Sequence, residues 1–353
     1  MSLKDHLLRQ IAVDGPLSIA SYMQTCLLHP THGYYTTRDP LGATGDFITA
    51  PEISQMFGEL MGLCLAQSWM DQGGGPCILA ELGPGRGTLM ADMLRATRSV
   101  PDFTPAVHLI EASPALRDIQ ASTLKGRGPI WHDDITTLPE GRLFFIANEF
   151  FDALPIRQFV RRGAGWAERR IGADEEKLVY GFAPPAPFDM LADRLGDTQE
   201  GEMVEHCAFA APIIADLSDR IAQHGGAGVI LDYGDWGSHG DTFQAVKDHA
   251  PCDPLEAPGQ ADLTAHVDFR ALAHASTCAT SAMIEQAALL YRLGIGPRAQ
   301  ALAEKLDAAG DEDGLKQHLA AYQRLTEPAQ MGTLFKAIAL HPKGTAPPPG
   351  FET

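Results

Sequence analysis

The sequence predicts an α/β protein with a doubly wound, mostly parallel sheet of seven strands. Strand-like and helix-like segments alternate along most of the chain from about residue 73 onward. The strand-like segments are near-continuous apolar runs, as expected of parallel strands covered by helices on both faces. A strand, glycine turn and helix open the alternation in the letters ILAELGPGRGTL, at residues 78–89.

Seven segments along the chain have the composition of sheet strands, and helical patterns separate most of them. The seven are CILAEL, AVHLIEA, GPIWHDD, RLFFIANEFFDALP, GVILDYG, CATSAMI and GTLFKAIAL. Ser113 followed by Pro114 predicts a helix N-terminus after the second strand. Two other runs, RQFVRRGAGWAERRIG and KLVYGFA, predict antiparallel strands inserted into the alternation.

The sequence pattern divides the chain into three parts. We expect an N-terminal helical region with a glycine-rich loop, an α/β core with insertions, and a flexible tail. These parts are predicted at residues 1–72, 73–343 and 344–353, with an inserted β segment at about 157–200, a surface excursion at about 236–265 and a helical insertion at about 285–326. Thr49 and Glu52, around Pro51, also predict a capping box that opens one long helix.

Composition and charge narrow the function classes. The 353 residues include 27 Lys and Arg against 45 Asp and Glu, a formal net charge of -18. Such a surface disfavours nucleic acid and favours basic partners, although it can also serve solubility alone. The six cysteines are scattered and no stretch resembles a signal peptide or a membrane span. We therefore expect a soluble cytoplasmic protein with no metal site and no membrane insertion.

The glycine turn after the first strand differs from two common nucleotide sites. A dinucleotide loop needs glycine where Thr88 stands, and a P-loop needs a lysine that is absent here. Glu81, two residues before Gly83, would repel a pyrophosphate but pair with an ammonium group. S-adenosyl-L-methionine carries an ammonium group and no phosphate, and Gly83, Gly85 and Gly87 would let the main chain approach it. A tight turn without a ligand is the alternative.

Acidic residues also end the next two predicted strands. Glu111 ends the second strand, where an acid in nucleoside-binding α/β folds accepts from both ribose hydroxyls. Asp133 and Asp134 end the third, where one of them can accept from an adenine amino group while the other caps a helix. Acids at three successive strand ends line the carboxyl edge of the sheet, where ligands bind in such folds.

An acidic and aromatic run, NEFFDALP, closes the fourth strand. It supplies Asn148, Glu149 and Asp152 beside Phe150 and Phe151. Two carboxylates three residues apart can grip a guanidinium through charge-assisted hydrogen bonds, and rings can flank the cation. The three polar residues are therefore our predicted catalytic groups. In the alternative interpretation the phenylalanines are core residues and the acids cap the next helix.

Five of these stretches together resemble a known family. GDFITAPEISQMFGE, ELGPGRGTL, NEFFDALPIRQF, ILDYG and ADLTAHVDF are similar to the MidA-like S-adenosyl-L-methionine-dependent methyltransferases, over about residues 33–340. Mitochondrial members of that family are complex I assembly factors that methylate an arginine of a complex I subunit. The resemblance implies a class I methyltransferase core, with the three glycines on the methyl donor, Glu111 on its ribose, and Asp133 or Asp134 near adenine.

The resemblance also implicates two segments outside the strand ends. It implies that the loop carrying Gly45, Asp46, Thr49 and Glu52 folds over the donor or the substrate channel. In ADLTAHVDF, Asp262, His266 and Asp268 either line the substrate cleft or cap a helix, and we favour the cap.

Together these observations predict a protein arginine N-methyltransferase that uses S-adenosyl-L-methionine on a basic or arginine-presenting protein, such as a complex I subunit. A methyltransferase for another acceptor and a donor-binding assembly factor without turnover remain alternatives. By resemblance, bacterial members are expected in the cytoplasm and eukaryotic relatives in mitochondria. The oligomeric state stays open.

Overall fold

The computed structural model describes residues 2–37 and 49–352, which form helices around a central mixed sheet. The helices are α1 (Leu3–Asp14), α2 (Ile19–Leu28), α3 (Tyr34–Thr37), α4 (Ala50–Ile53), α5 (Gln55–Asp71), α6 (Thr88–Ala96), α7 (Pro114–Thr123), α8 (Ala210–His224), α9 (Phe269–Ala275), α10 (Gln286–Arg292), α11 (Ile295–Ala308) and α12 (Glu312–Thr326).

The strands fall into one central sheet and two smaller ones. They are β1 (Leu17–Ser18), β2 (Ile78–Leu82), β3 (Ala106–Ile110), β4 (Ile130–His132), β5 (Leu143–Asn148), β6 (Arg157–Arg162), β7 (Gly165–Asp174), β8 (Lys177–Phe182), β9 (Met203–His206), β10 (Gly226–Asp235), β11 (Gln244–Lys247), β12 (Ala250–Cys252), β13 (Asp262–Thr264), β14 (Val267–Asp268), β15 (Ala279–Thr280), β16 (Ile284–Glu285) and β17 (Phe335–His341).

The central sheet confirms the α/β class but differs from the predicted count of seven strands. Its order is β15-β17-β10-β5-β2-β3-β4, with β14 also on β10 and β16 also on β17, so nine strands take part among the described residues. The strands from β10 to β4 are parallel, and β17 is antiparallel to β10. The predicted sixth strand is two short pieces because Ser281 interrupts it, its Oγ accepting the Ala339 N–H at 2.9 Å.

Alternate side chains of the central strands enter two separate cores. Leu79 and Ile146 pack in one core with residues of α5 and α6, whereas Ala80 and Phe145 pack in the other with residues of α8 and α9. Helices therefore cover both faces, which explains why the strands are apolar throughout. The polar groups of this region collect where the parallel strands end.

The inserted antiparallel strands form a sheet of their own. β6, β7 and β8 pair in sequence as predicted, β9 pairs with β6, and β1 pairs with β7. Residues of α1, α2 and α3 share a hydrophobic cluster with Ile171 and Leu178 of this sheet. The third sheet, β12-β11-β13, lies within the predicted surface excursion.

The helix predicted to begin at Thr49 is broken in two. α4 ends at Ile53, and α5 begins after Ser54, whose Oγ accepts the Met56 N–H at 3.2 Å. Thr49 makes no side-chain cap to α4, and Glu52 instead accepts a hydrogen bond from Thr88 Oγ1 at 2.5 Å. The capping box is therefore incorrect, because Glu52 bonds across to the first turn of α6.

The C-terminal segment packs against the core, unlike the flexible tail that the sequence predicts. Phe351 is buried in the same core as α5 and α10 residues. Cys64 Sγ donates to the Pro349 carbonyl at 3.3 Å, and Arg292 donates to the Gly350 carbonyl at 3.0 Å. The buried ring and these hydrogen bonds together hold this polar, proline-rich segment against the core. Over the described ranges, no helix has the length and apolarity needed to cross a membrane.

Candidate active site

A cavity of about 510 Å³ lies at the carboxyl ends of β2, β3, β4 and β5. Most of the predicted site residues line it, and these are Thr49, Glu52, Glu81, Gly83, Gly85, Glu111, Asp133, Asp134, Asn148 and Glu149. Gly87, Asp152, Asp262 and His266 are not among the lining residues. Gly45 and Asp46 lie outside the described residues. The cavity joins the two groups of residues that the sequence assigned to donor and acceptor.

The glycine turn has a main-chain geometry that side chains disfavour. Gly83, Gly85 and Gly87 have φ values of 63°, 53° and 79°, in the left-handed region. A Cβ on Gly83 would lie 3.0 Å from Cδ2 of Phe150, so the turn also packs closely against the acceptor segment. Gly87 is the N-cap of α6, which directs the free N–H groups of that helix toward this edge of the sheet.

Glu81 is a buried acid whose charge lacks a partner. Only 3% of the residue is exposed, and its Oε2 has no hydrogen-bond partner in the described part of the chain. Burial, together with the charge of Glu111, raises the pKa of Glu81 to about 8. An ammonium group at Oε2 would remove both the unpaired acceptor and the cost of the charge. This side chain therefore fits the amino-acid end of S-adenosyl-L-methionine.

The carboxylate of Glu111 is held by two donors. Oε1 accepts the Ser113 N–H at 2.8 Å, and Oε2 accepts from Nε2 of Gln120 at 3.2 Å. Burial raises the pKa of Glu111, while these two hydrogen bonds oppose the rise. Each oxygen keeps a second lone pair, so the carboxylate can still accept from two ligand hydroxyls.

The two aspartates after β4 have different surroundings. Asp134 accepts from the N–H of Thr136 at 2.8 Å and from its hydroxyl, and so caps the short helical turn Ile135–Thr137. Asp133 is exposed and pairs with Nη2 of Arg117 at 2.5 Å. One of the two is a cap, as the sequence suggested, and it is Asp134.

Asn148 ends β5, the strand next to β2, and Glu149 follows it at the cavity. Glu149 has a φ of 52°, a rare conformation for a residue with a side chain. Its Oε1 accepts from Ala50 N at 3.2 Å and from Asn148 Nδ2 at 3.1 Å. Burial, together with the charge of Asp152, raises the pKa of Glu149 to about 8. The free chain therefore presents this carboxyl partly protonated near neutral pH.

Sequence reasoning missed Asp232, whose side chain holds the main chain that follows Glu149. It is fully buried, and its Oδ2 accepts the N–H groups of Phe150, Phe151 and Asp152 at 3.2, 3.0 and 3.3 Å. Burial, together with the charges of Asp152 and Glu149, raises its pKa well above the usual range. The signal was available: ILDYG ends the strand next to β5, and Leu231 pairs with Asn148.

Asp152 does not form the predicted pair with Glu149 at the cavity. The segment after Glu149 is a turn held by Asp232 rather than a helix, so residues three apart do not share a face. Asp152 is 4% exposed and its Oδ1 lacks a hydrogen-bond partner among the described residues. Burial and the charge of Asp262 raise its pKa to about 7. Its carboxylate lies behind the lining of the cavity.

The residues of ADLTAHVDF also lie behind the cavity. Asp262 accepts from the hydroxyl of Tyr35 at 2.7 Å, whereas His266 contacts the Tyr233 ring edge-on at 5.4 Å and lines a separate cavity of about 80 Å³. Asp268 caps α9 by accepting the Ala271 N–H at 3.0 Å. The favoured cap interpretation therefore holds for Asp268 and not for the other two.

Sequence comparisons identify relatives of this chain. A family model described as S-adenosyl-L-methionine-dependent methyltransferase matches residues 60–286. The mitochondrial protein arginine methyltransferase NDUFAF7 of Mus musculus is 39% identical over 96% of this chain and 84% of its own length. The Homo sapiens protein of the same name is 38% identical, over 96% and 82%. A Drosophila melanogaster homologue is 36% identical, over 97% and 85%.

A solved structure is similar to this chain in its fold. A COG1565 superfamily member from Burkholderia thailandensis, bound to S-adenosyl-homocysteine, superposes with a TM-score of 0.82 at 27% identity. The match covers 99% of this chain and 92% of that one. The buried acid and glycine turn described above fit the same class of ligand. The chain therefore belongs to the family of S-adenosyl-L-methionine-dependent methyltransferases, and S-adenosyl-L-methionine is its methyl donor.

Proposed function

We propose that this methyltransferase is a protein arginine N-methyltransferase. The observation that carries the proposal is that Glu149 and Asn148 line the same cavity as Glu81 and the glycine turn. The names of the relatives support the same acceptor, since they are protein arginine methyltransferases. The finer description of the fold, a class I doubly wound core, belongs to the same proposal.

S-adenosyl-L-methionine supplies a methyl group activated by a cationic sulfonium. On the side of the cavity defined by the glycine turn, Glu81 would bind the ammonium group and Glu111 would accept from the ribose hydroxyls. Asp133 is our choice for the adenine amino group, because the carboxylate of Asp134 is occupied by its cap to Thr136. These contacts would fix the position of the reactive carbon.

Glu149 would orient the guanidinium of the acceptor. Both hydrogen bonds described for its carboxylate end on Oε1, which leaves Oε2 for a guanidinium N–H. An arginine loses a proton when its nitrogen forms the new bond, and Glu149 can accept that proton at Oε2. The amide oxygen of Asn148 is buried without a partner in the described ranges and can accept a second N–H. Most of the rate would come from this alignment.

The surplus of buried carboxyl groups behind the acceptor wall supports a cationic acceptor. The charge of Asp152 raises the pKa of Glu149, and the charges of both raise the pKa of Asp232. The pKa of Asp152 is raised in turn by burial and by the charge of Asp262. A guanidinium would stabilise their ionised forms, whereas a neutral acceptor would not. The formal net charge of -18 would also attract a basic protein partner, for which we propose a complex I subunit or a similar protein.

The experiment is to capture partners with the purified protein, supply tritiated S-adenosyl-L-methionine, and map methylation by mass spectrometry. We expect label on arginine, and loss of transfer by about 100-fold or more in Glu149→Gln, the usual scale for a proton acceptor. Donor binding should persist in that variant. Glu176→Gln, which changes an exposed carboxylate in the β7–β8 turn, is the control and should transfer normally.

The alternatives from the sequence give different results in the same experiment. Label in a small molecule or on another side chain would identify a different acceptor. Partner capture without any label, at full donor occupancy, would favour an assembly factor without turnover. Full arginine methylation by Glu149→Gln would refute the proposed role of Glu149. We propose a cytoplasmic location for a bacterial form of this protein, whereas the named relatives are mitochondrial.

A further inference from the structure

Gln120 of α7 is a fully buried amide behind the donor side of the cavity. Its Nε2 donates to the Gly85 carbonyl at 2.8 Å and to Oε2 of Glu111 at 3.2 Å. Its Oε1 accepts from Nε1 of Trp131 at 2.8 Å. One side chain thus joins the glycine turn, the end of β3 and strand β4. Gln120 itself does not line the cavity, so it is not positioned to touch a ligand there.

The orientation of this amide follows from its neighbours. An indole N–H can only donate, so the oxygen of Gln120 must face Trp131. The two N–H groups then point to a carbonyl and a carboxylate, both of which can only accept. A flipped amide would oppose donor to donor at Trp131 and acceptor to acceptor at Gly85 and Glu111. The network therefore admits one arrangement.

We propose that Gln120 is a positioning residue of the donor site, which ties the glycine turn to Glu111 and keeps that carboxylate an ionised acceptor for the ribose hydroxyls. The proposal rests on the ribose role of Glu111 given above. Its physical basis is that Glu111 is half-buried, so its charged form needs donors. Ser113 N–H supplies one, and Gln120 supplies the other and fixes the carboxylate plane.

Other charged groups surround Glu111 and act in the same way with or without Gln120. Glu81 on β2 opposes its ionisation, while the Arg117 guanidinium on α7 favours it. Arg117 donates to the Glu111 main-chain carbonyl and pairs with Asp133 after β4. Because Gln120→Met leaves these groups in place, a changed pH response in that variant reports the lost amide.

The experiment measures affinity for 5′-methylthioadenosine by calorimetry between about pH 6 and pH 9. This ligand has the ribose and adenine but no amino-acid end, so it does not use the ammonium contact of Glu81. We expect Gln120→Met to bind about tenfold or more weakly at pH 7, with the loss growing toward pH 6 and shrinking toward pH 9. The reason is that an unsupported Glu111 becomes protonated at a higher pH, and a protonated carboxyl is a weaker acceptor for two ribose hydroxyls because one oxygen then carries the proton.

Gln158→Met is the matched control. Gln158 is equally buried, and its Nε2 donates to carboxylates of Glu205 and Asp241 while its Oε1 accepts from Arg169. It lies in the inserted sheet and does not line the cavity. We expect its affinity to match the wild type even if its melting temperature falls. A similar loss in both variants would overturn the proposal, because it would indicate general destabilisation.

Two further variants keep the result interpretable. Gln120→Glu retains the acceptor for Trp131 but places a second carboxyl group against Glu111, so we expect it to bind weakly at pH 8 even if Gln120→Met fails to fold. Glu111→Gln separates the two proposals. If it binds 5′-methylthioadenosine like the wild type, the ribose role of Glu111 is wrong. If it binds weakly while both Gln120 variants bind normally at every pH, the role of Gln120 alone is wrong.

Discussion

The two halves of the cavity are built in different ways. The donor half consists of Glu81, the glycine turn at residues 83–87 and Glu111, which come from two consecutive strands and the turn between strand and helix. The acceptor half, residues 148–152, is held in its shape by Asp232, which accepts three of its main-chain N–H groups. The donor half is thus mostly local in sequence, whereas the acceptor half depends on a residue 80 or more positions away.

The halves also differ in how their carboxyl groups are supported. Each oxygen of the Glu111 carboxylate has a donor, from Ser113 and Gln120. In the acceptor half, the charge of Glu149 raises the pKa of Asp232, and main-chain N–H groups supply most of the compensation. The Glu111 part of the donor half is therefore preformed, while Glu81 and the acceptor half carry an electrostatic cost that a cation would relieve.

Asp232→Asn should have the largest effect of these variants. It should disturb the acceptor half and leave the donor half intact. The amide cannot accept from all the N–H groups that Asp232 now holds, and an unpaired buried N–H costs about 1–3 kcal/mol. We expect methyl transfer to fall by about 100-fold through misplacement of Glu149, with S-adenosyl-homocysteine affinity little changed. Transfer assays and calorimetry measure the two quantities. Asp311→Asn, which removes a capping carboxylate at α12, is the control. An equal loss of donor affinity would contradict the separation.

Gly83→Ala should affect both halves. The added Cβ meets Phe150 at 3.0 Å, and a left-handed alanine costs about 1–2 kcal/mol. Gly128→Ala is a matched control, since Gly128 has the same φ of 63° but nothing within 4 Å of its Cβ. We expect S-adenosyl-homocysteine affinity to fall about 10-fold or more in the first variant only. Equal affinities in the two variants would show that the contact with Phe150 does not matter.

Glu81→Gln tests the electrostatics of the donor half. In the free chain Glu81 has a pKa of about 8, so below that pH it is protonated and must lose its proton to pair with an ammonium. Wild-type affinity for S-adenosyl-homocysteine should therefore fall as pH drops below about 8, by up to tenfold per unit. The variant should bind weakly with a flatter profile. Calorimetry in two buffers of different ionisation enthalpy detects the released proton; its absence in the wild type would contradict the pairing.

Asp133→Asn should have the smallest effect. Asp133 is exposed, so its contact to adenine is screened by water, and we expect affinity for S-adenosyl-homocysteine to fall about threefold. Asp134→Ala should instead lower the melting temperature, because it removes the cap to Thr136. Reversed outcomes in calorimetry and thermal unfolding would assign adenine to Asp134.

Much of the donor half could be predicted from sequence because its elements obey local rules. A buried strand that runs into glycines and a capped helix defines its own turn, and parallel strands place their terminal acids on one edge. Glu81, Gly83, Gly85 and Glu111 therefore reach the cavity as expected. Gly87 serves the turn as the N-cap of α6 without lining the cavity. The same local rules predicted the inserted antiparallel strands.

The acceptor half shows what local rules do not capture. The spacing of Glu149 and Asp152 suggested one carboxylate pair, but the turn clamped by Asp232 leaves Asp152 outside the cavity lining. Likewise the break between α4 and α5 is accompanied by the bond from Thr88 to Glu52, which spans 36 residues.

Sequence alone determined the α/β class, the glycine turn and the strand-end acids that reach the cavity, because these follow from the order of residues within single strand–turn–helix units. The direction of each acceptor carboxylate, the support of Glu111 by Gln120 and the docking of Phe351 were decided only in the tertiary structure. The physical reason is that a buried carboxylate takes its place from whichever N–H groups folding brings to it, and most of those belong to distant parts of the chain.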